Sequence, residues 1–354
     1  MIKNSSNEFT PQNTPQSTPQ NLPIWIAPME GLTLNVFRKI WDKHFGCGAI
    51  EKYYTPFLNA NHTLHFQNKE IRDILPDNNE GMPVAVQILT NKPDQLVWAV
   101  QEMHGYGYRE VNFNLGCSMP QVARKKRGAG MLGDIDALDR FFEEFFDLLS
   151  RSEDPEIPSS MRISVKTRIG VDDRSTAMKL MPVYNRYPIN SLTIHPRLQC
   201  EVYSGVPDME AFAAMYEASS HPVVYNGDIL RAEDYHHIRE QFPRLRAVMI
   251  GRGILRDPLL VRRITGAALA SEASAGAAFA DAAPTDTAEI QSFHDDLLEA
   301  YLAYYPDERQ ALSKMKELWW YMRDSFPDKE REIRKLRKSS RLAEYRSLEQ
   351  TVFR

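Results

Sequence analysis

The chain has 354 residues, of which 43% are apolar and 25% charged, and a net charge of -4. It is too long for one small domain, ordinary in composition for a soluble globular protein, and not a uniformly basic nucleic-acid binder, so any anion-binding surface must be local. Three cysteines, Cys47, Cys117 and Cys200, cannot all pair and form no CxxC. That argues against a disulfide scaffold and against a cysteine-rich zinc site; a reducing cytoplasm and no metal are expected.

Residues 1–21 repeat a Thr-Pro-Gln unit with few apolar side chains, and a disordered tail is expected. They hold no apolar core of a signal peptide, and no later run approaches the roughly 18 apolar residues of a membrane helix. From Pro23 an α/β rhythm begins. Ile24–Ala27 is predicted as the first strand, and Val36, Phe37, Ile40 and Trp41 follow at helical spacing. Ala49–Tyr53 is the second strand. Residues 54–82 lack clear periodicity, as a functional loop or a set of short helices would. Val84–Leu89 is the third strand, with Pro93 opening a helix.

The stretch Val111–Asp134 is the centre of the reading. Its strand, Val111–Asn114, breaks at Leu115-Gly116-Cys117-Ser118-Met119-Pro120, passes a basic run from Arg124 to Arg127, and ends in Gly128-Ala129-Gly130. A cysteine just beyond a strand end occupies the place where barrel enzymes put reactive groups, although a free Cys also serves as a small apolar core residue. A helix over Leu138–Leu149 is followed by strands at Arg162–Arg168, Leu192–His195, Val223–Asn226 and Ala247–Ile250. Helices near 174–186, 208–219 and 231–241 separate them. Eight strands alternating with helices over roughly 240 residues predict a (β/α)8 TIM barrel spanning residues 22–265. No Gly-x-Gly-x-x-Gly follows the first strand, against a dinucleotide-binding fold.

Residues 266–288 are small and Ala-rich, as a linker would be. Residues 289–354 read as a C-terminal helical bundle, locally basic, with twelve Lys or Arg against six Asp or Glu between Arg309 and Arg346. Trp319, Trp320 and Tyr321 within it are best read as a core stripe, while a basic helix face also attracts phosphate backbones.

Polar residues collect at C-terminal strand ends: Pro28, Met29 and Glu30; Gln87; Asn114 and Cys117; Lys166 and Arg168; His195 and Arg197; Asn226, Gly227 and Asp228; Gly251 and Arg252. The barrel makes them converge. Loops after strands seven and eight are the recurrent phosphate site of such barrels, where Gly227, Gly251 and Gly253 would admit an anion to the backbone, or simply make tight turns. Lys166 would stabilise the electron-rich end of a flavin or form a Schiff base. His195 is a core histidine or a ligand contact.

These residues resemble the tRNA-dihydrouridine synthases, flavin (FMN) enzymes. The matching pieces are APMEG (27–31), VAVQIL (84–89), NFNLGCSMPQVARKKRGAGML (112–132), SVKTRIG (164–170), TIHPR (193–197), VVYNGDI (223–229) and VMIGRGIL (248–255), with KMKELWWYMR (314–323) in the tail. The resemblance implies that Pro28, Met29, Glu30, Gln87, Lys166, His195, Asn226, Gly227, Asp228, Gly251 and Arg252 hold FMN. It implies that Cys117 donates a proton, that Asn114 meets the target uracil, and that NADPH is the reductant. Arg168 and Arg197, with Lys314, Lys316, Arg334 and Arg337 of the tail, are expected RNA contacts in a monomeric, cytoplasmic, tRNA-binding enzyme. Two departures stand out: Ser118 replaces the family's Pro after the cysteine, and Pro196 replaces a Gly between His and Arg. The run Arg124–Arg127 would either lower the thiol pKa or grip phosphate. The competing expectations are an FMN barrel acting on a free small molecule, a dihydrouridine synthase acting on ribosomal RNA, an RNA-binding protein without catalysis, and an aldolase-like Schiff-base enzyme.

Overall fold

The computed structural model describes residues 21–266 and 284–354. The tail expected to be disordered and most of the linker lie outside the described residues. Among the described residues nine parallel-paired strands are present: β1 (Ile24–Ile26), β2 (Ile50–Tyr54), β3 (Leu58–Asn59), β4 (Val84–Leu89), β5 (Glu110–Leu115), β6 (Arg162–Arg168), β7 (Leu192–His195), β8 (Val223–Tyr225) and β9 (Ala247–Ile250). Pairing of β2 with β4 and of β1 with β9 closes eight of them into a barrel. The ninth, β3, is a two-residue strand on the C-terminal end of β4. The aperiodic stretch 54–82 holds β3, a helix at Asn68–Ile74 and a 3-10 turn at Pro76–Asn79.

Side chains alternate in and out along each strand. Outward residues such as Ile26, Val86, Phe113 and Ile194 join the large core shared with the surrounding helices. The helix Ile135–Ser150 shows why that layer forms. Asp134 caps it by accepting from Ala137 N at 3.0 Å, and Phe141 stacks on Phe113 with ring centroids 5.0 Å apart. Inward residues divide by sector. Trp25, Ala27, Tyr54, Ala85, Val224, Ala247 and Met249 make an apolar half. Gln87, Asn112, Asn114, Ser164, Lys166 and His195 make a polar half across β4–β7.

The tail comprises helices Pro284–Tyr304, Glu308–Met322, Glu330–Leu336 and Leu342–Phe353. The first begins inside the stretch expected to be linker. It packs on the barrel through Phe293, whose ring lies 5.2 Å from that of Phe45 and 6.1 Å from that of Phe37. One apolar core therefore runs from barrel helices into the tail. Among the described residues no helix is long and apolar enough to cross a membrane.

Candidate active site

A cleft opens at the C-terminal end of the barrel. Nine of the expected cofactor residues line it: Pro28, Met29, Lys166, His195, Asn226, Gly227, Asp228, Gly251 and Arg252. Five different strands supply them. The other two lie elsewhere. Glu30 is exposed at the rim. Gln87 is buried below the cleft with both ends of its amide engaged.

Gln87 belongs to a one-way chain of hydrogen bonds through the polar half of the barrel. The N–H groups of Gly116 and Cys117 donate to Asn114 Oδ1 at 3.0 and 2.8 Å. Asn114 Nδ2 donates to Gln87 Oε1 at 2.6 Å, and Gln87 Nε2 to Asn112 Oδ1 at 2.7 Å. Asn112 Nδ2 donates to Ser164 Oγ at 3.0 Å, and Ser164 Oγ to Glu110 Oε1 at 2.8 Å. At the barrel floor Lys52 donates to Glu110 Oε2 at 2.6 Å. Asn114 thus fixes the start of the cysteine loop through its oxygen.

The end of that loop is fixed by glycine. Gly128, at φ +55°, lies so close to Cys117 that a Cβ there would come within 2.8 Å of the Cys117 carbonyl oxygen. At Gly130 a Cβ would come within 2.4 Å of Ala123 O. Ala129 N donates to Cys117 O at 3.0 Å. The thiol between these anchors is half-buried, and burial pushes its pKa above the ordinary value, opposed by the Met119 N–H and the charges of Arg168 and Lys166. It is held as an acid. The basic run Arg124–Arg127 is not among the largest influences on it.

Lys166 makes no hydrogen bond or ion pair among the described residues. Burial, and next the charge of Arg168, lower its pKa to about 7. An ammonium without a partner at the floor of a cleft is stabilised by an anionic or electron-rich ligand. His195 is held neutral by burial and four surrounding cations, Arg168, Lys166, Arg197 and Arg252. Its Nε2 faces Arg197 Nη1 at 3.2 Å and so accepts, which leaves the ring hydrogen on Nδ1. Asp228 takes Arg197 at 2.6 Å and also pairs with Arg252; these contacts outweigh burial and keep its carboxyl below the usual range. The cleft offers a flat ligand one polar wall, one unpaired ammonium and, beside Arg252, a cationic end. These features fit a phosphorylated flavin.

Two residues expected to contact RNA lie inside the protein. Arg168 is 1% exposed, and its guanidinium is committed to Gly116 O (2.8 Å), Leu198 O (2.9 Å), Val202 O (2.7 Å) and Ser118 Oγ (3.3 Å). Arg197 is buried between Asp228, Ser204 O and Gly205 O. Both tie loops together from inside and present no free edge to a nucleic acid. Ser118 Oγ is used by Arg168 as an acceptor. In the tail Lys314 sits beside Gly31 at the rim and pairs with Glu317. Lys316 donates to Ser339 O, Arg334 pairs with Glu330 at the surface, and Arg337 lies against Trp320. Sequence reasoning missed Tyr203. It lines the cleft with its ring 6.0 Å from that of His195 and 4.6 Å from the Arg252 guanidinium. Its loop carries no periodic signal.

A family model described as dihydrouridine synthase (Dus) matches residues 25–352. Similar relatives include a tRNA-dihydrouridine(16) synthase of Neisseria meningitidis serogroup B, 26% identical over 86% of this chain and 86% of that one. A tRNA-dihydrouridine synthase B of Pasteurella multocida is 29% identical over 68% of each chain. Among solved structures, histamine dehydrogenase from Rhizobium sp. 4-9 aligns with a TM-score of 0.52 at 13% identity, over 69% of this chain and 45% of that one. At that identity the likeness concerns the barrel fold alone.

Proposed function

We propose, since the chain belongs to the dihydrouridine synthase family, that it saturates the C5–C6 bond of a uridine in tRNA. FMN is the cofactor in this reading and NADPH the reductant, in a cytoplasmic enzyme. The observation that carries the reading is an acid-form thiol, Cys117, held on the same barrel end as a cleft with the unpaired Lys166 at its floor. Lys166, His195, Asn226 and Arg252 are the residues that would hold FMN, whose bound ring supplies hydride to C6. Cys117 supplies the proton to C5 and leaves as thiolate, with the nearby charges of Lys166 and Arg168 to stabilise it. Asn114, already oriented by the Gly116 and Cys117 N–H groups, meets the uracil edge. The base must leave its stack to enter the cleft, and basic surface outside the cleft, including Arg124–Arg127, grips the strand meanwhile.

The test is direct. The purified flavin-loaded protein is incubated with unmodified tRNA and NADPH, and nucleosides are analysed by mass for the gain of two hydrogens on uridine. Dihydrouridine is expected in tRNA and not in free uridine. A protein that consumes NADPH and reduces free pyrimidines while leaving tRNA unchanged would overturn the reading.

A further inference from the structure

We infer that the N-terminal face of the barrel carries a second ligand site, a basic groove beneath β2, β4, β5 and β6 that takes a phosphate monoester with a flat or apolar body. It stands at the opposite end of the strands from the candidate active site, and it does not depend on the function proposed above.

The groove holds about 420 Å³, room for a molecule of nucleotide size. Its place follows from where the strands begin. Val84 opens β4, Glu110 opens β5 and Arg162 opens β6, and all three line it. Lys166 lies further along β6, roughly 13 Å from Arg162 at the rise of a strand. No described residue lines both clefts. One wall is apolar, built from Pro76, Met82, Pro83 and Tyr106. That wall is fixed from behind. Asn79 Oδ1 accepts from Arg38 Nη2 at 2.7 Å, and Tyr108 Oη donates to Ile74 O. The groove is therefore formed before any ligand arrives.

The other wall is charged, and its charges do not balance. Lys52, Arg109 and Arg162 meet one carboxylate there, that of Glu110. Glu110 is already in full use. Its Oε1 accepts from Ser164 at 2.8 Å and from Tyr54 at 3.2 Å, and its Oε2 accepts from Lys52 at 2.6 Å. Lys52 is also held over the Trp25 ring, 4.2 Å from its centroid. The two arginines are left over. Arg162 Nε stands 4.0 Å from Glu110 Oε2, beyond hydrogen-bond range, with its side chain 58% exposed. Arg109 makes one side-chain hydrogen bond, to Tyr108 O at 3.0 Å, and no ion pair among the described residues. The two residues are neighbours across the sheet, since Arg162 N donates to Arg109 O at 3.0 Å. Other arginines leading into strands on this face have partners: Arg244 pairs with Glu217, and Arg246 with Glu51.

This arrangement selects a ligand class. Two adjacent guanidiniums repel each other, and an arriving anion relieves that repulsion. A phosphate monoester brings about two negative charges and three acceptor oxygens at neutral pH. Each guanidinium offers a planar fork to such a group, and the ammonium of Lys52 adds a fixed charge behind them. The apolar wall then covers whatever body the phosphate carries.

Adenosine monophosphate is the probe, titrated by calorimetry into the full chain. Saturable binding with a dissociation constant of about 1 mM or tighter is expected. Inorganic phosphate and adenosine should each bind more weakly, because each engages one wall only. Arg109→Gln and Arg162→Gln should each weaken binding about tenfold, the worth of a hydrogen bond to a charged group. Arg244→Gln, a paired arginine on the same face, should keep wild-type affinity. Absence of binding, or wild-type affinity in both Arg109→Gln and Arg162→Gln, would overturn the site. Equal affinity for inorganic phosphate and the nucleotide would overturn the ligand class. Should either variant fail to fold, phenylglyoxal modification of the wild-type chain, mapped by peptide mass, decides the question. The probe is expected to slow modification of Arg109 and Arg162, and unchanged rates at both would count against the groove.

Discussion

Arg168 Nε donates to the carbonyl oxygen of Gly116 at 2.8 Å, one residue before Cys117. Its remaining N–H groups reach Leu198, Val202 and Ser118, so one buried cation joins the cysteine loop to the loop carrying Tyr203. Arg168→Met removes the donors to Gly116 O and Val202 O, while Leu198 O keeps the Glu201 N–H. Urea unfolding is expected to show a loss of about 2 kcal/mol, taking roughly 1 kcal/mol per carbonyl that loses its guanidinium donor.

Cys117→Ala should retain the yellow cofactor and lose at least about 100-fold in uridine reduction, the range general acids contribute. The wild-type pH profile is a second check. In the proposed reaction the acid form is the active one, and burial raises its pKa, so activity should fall with rising pH only above the range of an ordinary thiol. An alkaline limb below that range would assign the limb to another group.

Lys166 makes a prediction of opposite sign for stability. Its folded pKa of about 7 lies below its ordinary value of 10.5. The unfolded chain therefore holds a proton that the folded one has lost, and folding becomes easier as pH rises through that interval. Lys166→Met should raise the melting temperature of the flavin-free protein below pH 7, leave it little changed above pH 10.5, and weaken flavin retention at all pH values. Thermal melts of both proteins, with and without FMN, check this.

Gly128→Ala should disturb the site without touching any reacting group. A methyl there is 2.8 Å from Cys117 O, and φ at that position is +55°. A cost of about 1 kcal/mol or more is expected from the backbone conformation alone, with added displacement of the thiol. Faster alkylation of Cys117 than in wild type would report the displacement.

The tail has its own buried charge. His294 Nδ1 lies 2.8 Å from Glu349 Oε1, and its Nε2 lies 2.7 Å from Tyr345 Oη. Burial alone would lower the His294 pKa, but hydrogen bonds to Asp295 and Glu349 outweigh it and raise it. A raised histidine stabilises the fold below its unfolded pKa, and that contribution disappears as pH climbs through the folded value. Glu349→Gln should cost about 3 kcal/mol in mildly acidic buffer and less in alkaline buffer, by urea unfolding at both.

Much of this was legible in the residues. Period-two strands, turn residues and the clustering of Lys166, His195, Asn226 and Arg252 at strand ends are local patterns, and the barrel turns them into one cleft. What could not be read depends on where a long side chain goes. Arg168 and Arg197 stand at strand ends like true ligand contacts, yet they satisfy carbonyls some thirty residues away or on the same loop. Trp319 and Trp320 are identical neighbours with opposite fates, decided by a rotation of about 100° round the helix. Glu110, Asn112 and Asn114 did carry a period-two polar signal, masked by the apolar residues between them.

The file of amides inside the barrel has a consequence for how the enzyme meets its base. Two backbone N–H groups stand at its upper end and can only give hydrogen; a carboxylate stands at its lower end and can only take it. With both terminals fixed, the sense of every bond between them is dictated, and Asn114, Gln87 and Asn112 share one arrangement instead of choosing among several. If the uracil meets Asn114, as proposed above, it encounters an amide whose orientation is set before contact, and discrimination among pyrimidine edges then requires no rearrangement at the moment of binding.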